Sequence, residues 1–179
     1  MRIGIVSDVH DALSNLRAGL GELRRADALL VAGDLCSPFV LPLLAEGFAH
    51  GDVHVVFGNN DGDRFRMERL ASELANVHLH GEVWTGELGG RAIAMTHFPG
   101  VAQAMDGGRF DAIVYGHDHR HRVERTGAGG WRLDPGSLMG YDPAVREEVP
   151  PTFLIYDTER DEVESLEIRA GRVSARSRG

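Results

Sequence analysis

Apolar runs and amphipathic stretches alternate through the first half of the chain. Residues 3–6 form a short apolar run of strand length, and Leu13, Leu16, Leu20 and Leu23 then recur at helical spacing. A second apolar run covers residues 28–32. The next stretch, 40–49, reads as a helix with Pro42 near its first turn, where a proline is tolerated. Residues 53–57 make a third strand, and Met67, Leu70, Leu74 and Val77 mark a further helix.

The second half favours hairpins. Residues 83–88 and 91–95 flank Gly89-Gly90, a pair suited to a two-residue turn. A short helix is expected at 101–105 and a buried strand at 112–115. Strands at 120–125 and 131–133 flank a glycine-rich loop, and 153–157 with 163–168 form a last hairpin. The acidic stretch 160–167 reads as the solvated edge of that hairpin. The order predicts one α/β domain over residues 1–170, parallel at first and antiparallel later, with a disordered tail at 171–179.

Length and composition narrow the choice. The 179 residues suit a single core and are too few for a (β/α)₈ barrel of ~250 residues. The net charge of −8 disfavours stable nucleic-acid binding. No apolar run reaches the ~18 residues of a membrane span, and the first residues carry no signal-peptide pattern, so no membrane association and a cytoplasmic location are expected. The basic residues are all arginine, which removes lysine Schiff-base chemistry. The lone cysteine, Cys36, cannot form an intrachain disulfide and reads as a small packed residue.

Polar clusters follow directly on five of the apolar runs. Asp8 and His10 follow the first, Asp34 the second, and Asn59, Asn60 and Asp61 the third; His97 follows 93–96, and His117 and His119 follow 113–115. Ligands of open α/β sheets bind beyond the carboxyl ends of strands, so these clusters are expected to converge. Carboxylate, amide and imidazole donors suit divalent manganese, iron, nickel, cobalt or zinc. Two such ions ~3.5–4 Å apart need a bridging ligand, which a carboxylate can provide. Each cluster alone carries little information. Five in one order, each at a strand end, point to a metal centre.

The pattern D-x-H, GD, GN-x-D, TH and GH-x-H resembles the calcineurin-like metallophosphoesterase superfamily. SDVHDALSNL at the start and DPGS at 134–137 resemble its small single-domain phosphodiesterase branch in bacteria and archaea. The resemblance implies a four-layer α-β-β-α sandwich of two mixed sheets. It also implies two divalent metal ions, manganese foremost, and attack on a phosphate diester by a bridging hydroxide. One metal would take Asp8, His10, Asp34 and His119, and the other Asp34, Asn59, His97 and His117, with Asp34 shared and Asp61 orienting a ligand. Where many members have GNHD, this chain has GNND. Asn60 therefore stands where a histidine serves the leaving group, and an amide cannot supply a proton. That favours diesters with good leaving groups.

Two alternatives share the implied fold: a phosphomonoesterase or nucleotidase, and a non-catalytic scaffold like a retromer subunit. The complete ligand set speaks against the scaffold. The expected partner is a small phosphate ester, and a homo-oligomer stays open. His50, His54, His78, His80 and His121 fall outside the motifs, with His78 and His80 on one face of a strand. Arg120 and Arg122 follow GHDH and are candidates for neutralising phosphate oxygens. Trp84 and Trp131 read as packing residues.

Overall fold

A computed structural model describes residues 1–176. The first half contains β1 (Arg2–Val6), α1 (Leu13–Leu23), β2 (Ala28–Val31), α2 (Val40–Gly47), β3 (Asp52–Val55), α3 (Arg64–Glu73) and β4 (Val77–Leu79). The chain continues through β5 (Val83–Leu88), β6 (Arg91–Thr96), α4 (Pro99–Ala104), β7 (Ala112–Val114), β8 (His121–Arg125) and β9 (Trp131–Pro135). It ends with β10 (Tyr141–Asp142), β11 (Glu147–Glu148), β12 (Thr152–Asp157), β13 (Glu162–Arg169) and β14 (Arg172–Ala175).

The strands form two mixed sheets and a small hairpin. The larger sheet runs β14-β13-β12-β1-β2-β3-β4 and the smaller β5-β6-β7-β9-β8, while β10 and β11 pair with each other. β1 to β4 are mutually parallel, and β12 adds antiparallel to β1. In the smaller sheet β6, β7 and β9 are parallel, and β5 and β8 flank them antiparallel.

Alternation along the strands builds the layers. On β2, Leu29 faces Leu16, Leu23, Leu41 and Phe48 of the helical layer, while Leu30 faces Ile93, Met95 and Val114 across the inter-sheet core. Both faces are thus buried, so β2 reads as a continuous apolar run. On the outer side of the smaller sheet Ala102 of α4 packs on Ala94, Ile113 and Tyr115. Helices α1 to α3, the two sheets and α4 are the four layers expected of the sandwich.

Several expectations need correction. α3 ends at Glu73, and Val77, read as helical, opens β4. The acidic stretch is a sheet edge only in part, because β14 pairs beyond Leu166–Arg169 and so covers its last two residues. Within the segment read as a disordered tail, Arg172–Ala175 form that β14; residues 177–179 lie outside the described residues. The short β10–β11 hairpin was not anticipated. None of the helices of the described residues is long and apolar enough to cross a membrane.

Candidate metal centre

The five clusters all lie in loops at carboxyl ends of strands. Asp8 and His10 leave β1, Asp34 leaves β2, and Asn59 to Asp61 leave β3; His97 directly follows β6, and His117 and His119 follow β7. One edge of the inter-sheet core therefore gathers them from both sheets. The backbone there is bent sharply. Asp8, His10, Asp34, His117 and His119 all have positive φ, between 43° and 86°. Left-handed backbone costs roughly 1–2 kcal/mol for an ordinary L-residue, and Asp and His are among those found there more readily.

Two glycines permit the close approach of these loops. A β-carbon on Gly58 would run into the Asp34 carboxylate and amide, and one on Gly116 into the Ser7 hydroxyl and the Asp8 carboxylate. Asp34 and Asp8 can sit where they do only because both positions lack a side chain.

The candidate donor atoms converge in two groups. In the first, Asp8 Oδ1 lies 3.3 Å from His119 Nε2 and 3.7 Å from His10 Nε2. The two histidine nitrogens are 3.1 Å apart. In the second, His117 Nδ1 lies 3.2 Å from His97 Nε2 and 2.9 Å from Asn59 Oδ1. Asp34 stands between them: its Oδ2 is 3.5 Å from His10 Nε2 and 3.3 Å from His97 Nε2. Asp8, Asp34 and His97 also offer donor atoms within 4.8 Å of one another, as do Asp8, His10 and His119.

Hydrogen bonds behind the site fix the rings. His97 Nδ1 donates to the Ala32 carbonyl at 2.8 Å, and His119 Nδ1 to the Tyr141 carbonyl at 2.6 Å. A carbonyl only accepts, so each Nδ1 carries the proton and each Nε2 turns its lone pair inward. His10 Nδ1 meets Cys36 Sγ at 3.3 Å instead. Asp61 accepts the amides of Asp34 (3.1 Å), Cys36 (3.0 Å) and Gly58 (2.7 Å), tying two loops together. Asn60 donates to Asp34 twice, from its backbone N–H to Oδ1 and from Nδ2 to Oδ2, both at 2.8 Å. The Ser137 hydroxyl donates to the Asp8 carbonyl at 2.9 Å, so the DPGS turn anchors the first loop.

Charge within the cluster is mutually adjusted. Burial opposes ionisation of Asp8, yet the adjacent imidazoles of His10 and His119 hold its carboxyl far below the usual range. Asp34 is lowered as well, with burial outweighed by His97 and Asn60. His97 and His119 move up, since their carboxylate partners overcome burial. Cys36 is pushed up to about 12, first by burial and then by Asp34, Asp11, Asp61 and Asp8. A thiol so poised is not a nucleophile near neutral pH.

The remaining candidates are occupied elsewhere. Arg122 pairs with Asp118 at 2.7 Å and lies 3.7 Å from the buried Asp134. Arg120 lies 3.9 Å from Asp142. His121 bonds the Ser165 hydroxyl on β13, and His50 the Ala26 carbonyl. Trp84 and Trp131 pack against the inter-sheet core. Sequence reasoning missed the supporting groups Tyr141 and Cys36. Tyr141 acts through a backbone carbonyl, which leaves no mark in residue type.

The sequence model of the calcineurin-like phosphoesterase superfamily domain matches residues 1–161. A phosphodiesterase of Methanocaldococcus jannaschii is 26% identical over 171 residues, covering 93% of this chain and 98% of that protein. A solved archaeal phosphodiesterase superposes with a TM-score of 0.82 at 26% identity, over 94% of this chain and all of the other. Vacuolar protein sorting 29 of Cryptosporidium parvum shares the fold at a TM-score of 0.69 and 20% identity, covering 98% of this chain and 95% of its own.

Proposed function

Because the chain belongs to the calcineurin-like phosphoesterase superfamily, we propose that it is a metal-dependent phosphodiesterase working on small phosphate diesters with a pair of divalent cations. The observation that carries this reading is the position of Asp34, whose Oδ2 lies within 3.5 Å of a histidine from each of the two groups. Such a carboxylate is placed to be shared.

The residues suit cations on their own chemistry. Asp8 Oδ1 is buried and has no hydrogen-bond partner, an expensive arrangement unless a cation compensates it. Imidazole nitrogens turned toward one another, as His10 and His119 are, share a cation more naturally than they share a proton. Asp8, His10, Asp34 and His119 would hold one ion, and Asp34, Asn59, His97 and His117 the other. With imidazole on both sides, manganese, nickel, cobalt, iron or zinc suit the site better than magnesium. When bound, such a pair supplies Lewis acidity toward phosphoryl oxygens and lowers the pKa of water.

The protein's own contribution is positioning. Ala32 and Tyr141 carbonyls keep His97 and His119 in one tautomer, and Asp61 and Asn60 hold Asp34 from its backbone and its carboxylate. Neither Asn60 nor Cys36 can serve as a general acid: an amide cannot give up a proton, and a thiol pushed up to about 12 is too weak an acid. A diester with a good leaving group needs no such acid, and the similarity to archaeal phosphodiesterase in sequence and in structure supports the same choice. A cytoplasmic location belongs to this reading and is supported by the single reduced-type thiol at Cys36.

The test is metal depletion. Exhaustive chelation is expected to abolish hydrolysis of a bis-aryl phosphodiester, and Mn²⁺, Ni²⁺ or Co²⁺ to restore it more fully than Mg²⁺. Undiminished turnover in metal-depleted protein would refute the proposal.

A further inference from the structure

The edge of the larger sheet carries a second histidine cluster that the proposed reaction does not use. β3 and β4 pair in parallel with His54 opposite His78, and His80 lies two residues further on, on the same face. The rings stack, with centroids 5.3 Å apart for His54–His78 and 5.2 Å for His54–His80. Trp84, on β5 of the other sheet, covers them from the side, 4.8 Å from the His54 ring and 5.6 Å from that of His80. All four residues remain partly open to solvent.

His54 Nδ1 faces His80 Nε2 at 3.0 Å. Among the described residues, the other imidazole nitrogens that face each other this closely are His10 with His119, at 3.1 Å, and His97 with His117, at 3.2 Å. Each of those pairs belongs to one proposed cation. Nitrogens at ~2.0–2.1 Å from a common ion stand about 2.8–3.4 Å apart for bond angles between 90° and 109°. The His54–His80 separation is thus one that two ligands of a single ion adopt. His78 stacks on His54, and its own Nε2 is engaged with Asp52 Oδ1 at 3.0 Å, which leaves the His54–His80 pair to face solvent.

We propose that His54 and His80 form a separate two-imidazole binding site for a borderline divalent transition ion such as Ni²⁺, Cu²⁺ or Zn²⁺, completed by water. A donor set led by imidazole excludes Mg²⁺ and Ca²⁺. The titration state agrees with the geometry. Burial first, then His80 and His78, push His54 down to about 4 against the opposing charge of Asp52, and burial and His78 lower His80. Both rings are therefore neutral at pH 7, the form that binds metal.

Trp84 makes the site observable, because a paramagnetic ion within a few ångströms of an indole quenches its emission. A Trp131→Phe background leaves Trp84 as the sole indole. This protein, already loaded at its catalytic centre, is titrated with Ni²⁺ or Cu²⁺ by fluorescence and equilibrium dialysis. One more equivalent is expected to bind than in a His54→Gln/His80→Gln double variant, with Trp84 quenched only when both histidines are present. Hydrolysis of the phosphodiester and the metal content of the catalytic centre should be the same in both, which also shows that the variant is folded. If the double variant does not fold, His80→Gln alone decides, by the same one-equivalent difference. Equal stoichiometry, or quenching unaffected by the substitution, would overturn the proposal and leave the contact as an N–H···N hydrogen bond. Neither outcome depends on turnover, so the phosphodiesterase reading stands or falls separately.

Discussion

Asp61 holds Asp34 by the backbone: its Oδ2 accepts the Asp34 N–H at 3.1 Å and the Gly58 N–H at 2.7 Å. Both oxygens of the Asp34 carboxylate are left for His10, His97 and Asn60. One buried carboxylate thus sets the spacing of the loops after β2 and β3, and its charge lies behind the site.

Asp61→Ala should therefore act on folding as well as on metal binding. It strands three amides, including that of Cys36, and hydrogen bonds to a charged group are worth about 1.5–3 kcal/mol each. Thermal denaturation of the metal-free variant is expected to show a loss of several kcal/mol. Asp61→Asn, which keeps one acceptor oxygen, should fall between the two. A melting temperature equal to wild type in Asp61→Ala would contradict the clamp.

Asp34→Asn is expected to be the most damaging single ligand change. It removes charge from the one carboxylate that faces both histidine groups, and a loss of several kcal/mol corresponds to ~10³-fold or more in rate. His119→Ala should lose mainly one ion, because its Nε2 faces Asp8 and His10 only. Titration calorimetry distinguishes the two patterns; two ions bound normally by Asp34→Asn would exclude a shared ligand.

Asn60 carries two consequences. Its side chain bonds Asp34, so Asn60→Ala gives up one charge-assisted bond and should weaken metal binding by ~10–100-fold, while the backbone N–H bond to Oδ1 persists. Asn60→His, in contrast, adds a proton donor. It should raise kcat/KM for alkyl esters or monoesters, within the ~10²–10⁴ typical of general acid help. A wild type that already prefers monoesters, together with no change in Asn60→His, would remove the basis for choosing diesters.

The His54 cluster should make the metal-free protein acid-sensitive. Folded, His54 titrates at about 4, against 6.5 for an ordinary histidine. Between those values the unfolded chain binds a proton that the folded one refuses, so stability falls as the pH drops through this window. His80 and His121 act in the same direction, whereas the raised His97 and His119 oppose it. His54→Asn is expected to shrink the drop in melting temperature between pH 7 and pH 5 by ~2–4 °C. A parallel pH profile in the variant would show that another group sets the slope.

Much of the sandwich was legible because β1 and β2 are buried on both faces and leave unbroken apolar runs. The clusters were legible because each sits one to four residues past an apolar run. The elements that escaped have weak signals for physical reasons. Val77 continues the spacing of Met67, Leu70 and Leu74, and nothing in that spacing shows that the helix stops at Glu73. Tyr141–Asp142 and Glu147–Glu148 are too short for periodicity, yet Tyr141 supplies the carbonyl that orients His119. The polar composition of 171–176 suits a tail, and only pairing with the neighbouring Leu166–Arg169 makes it a strand. Distances within the site, above all the Asn60–Asp34 bond, depend on loop backbone that no pattern of residue types encodes.

The left-handed backbone at His10 and His117 bears on inheritance as well as chemistry. Glycine adopts such φ values without penalty, so His10→Gly or His117→Gly removes a proposed ligand at a position whose conformation glycine favours. Neither residue is fully buried, and both lie in loops outside the two sheets. The shape of the molecule and its reaction are therefore separable by single codon changes. A descendant of this chain could shed the second, keep the first, and be selected thereafter for its surface.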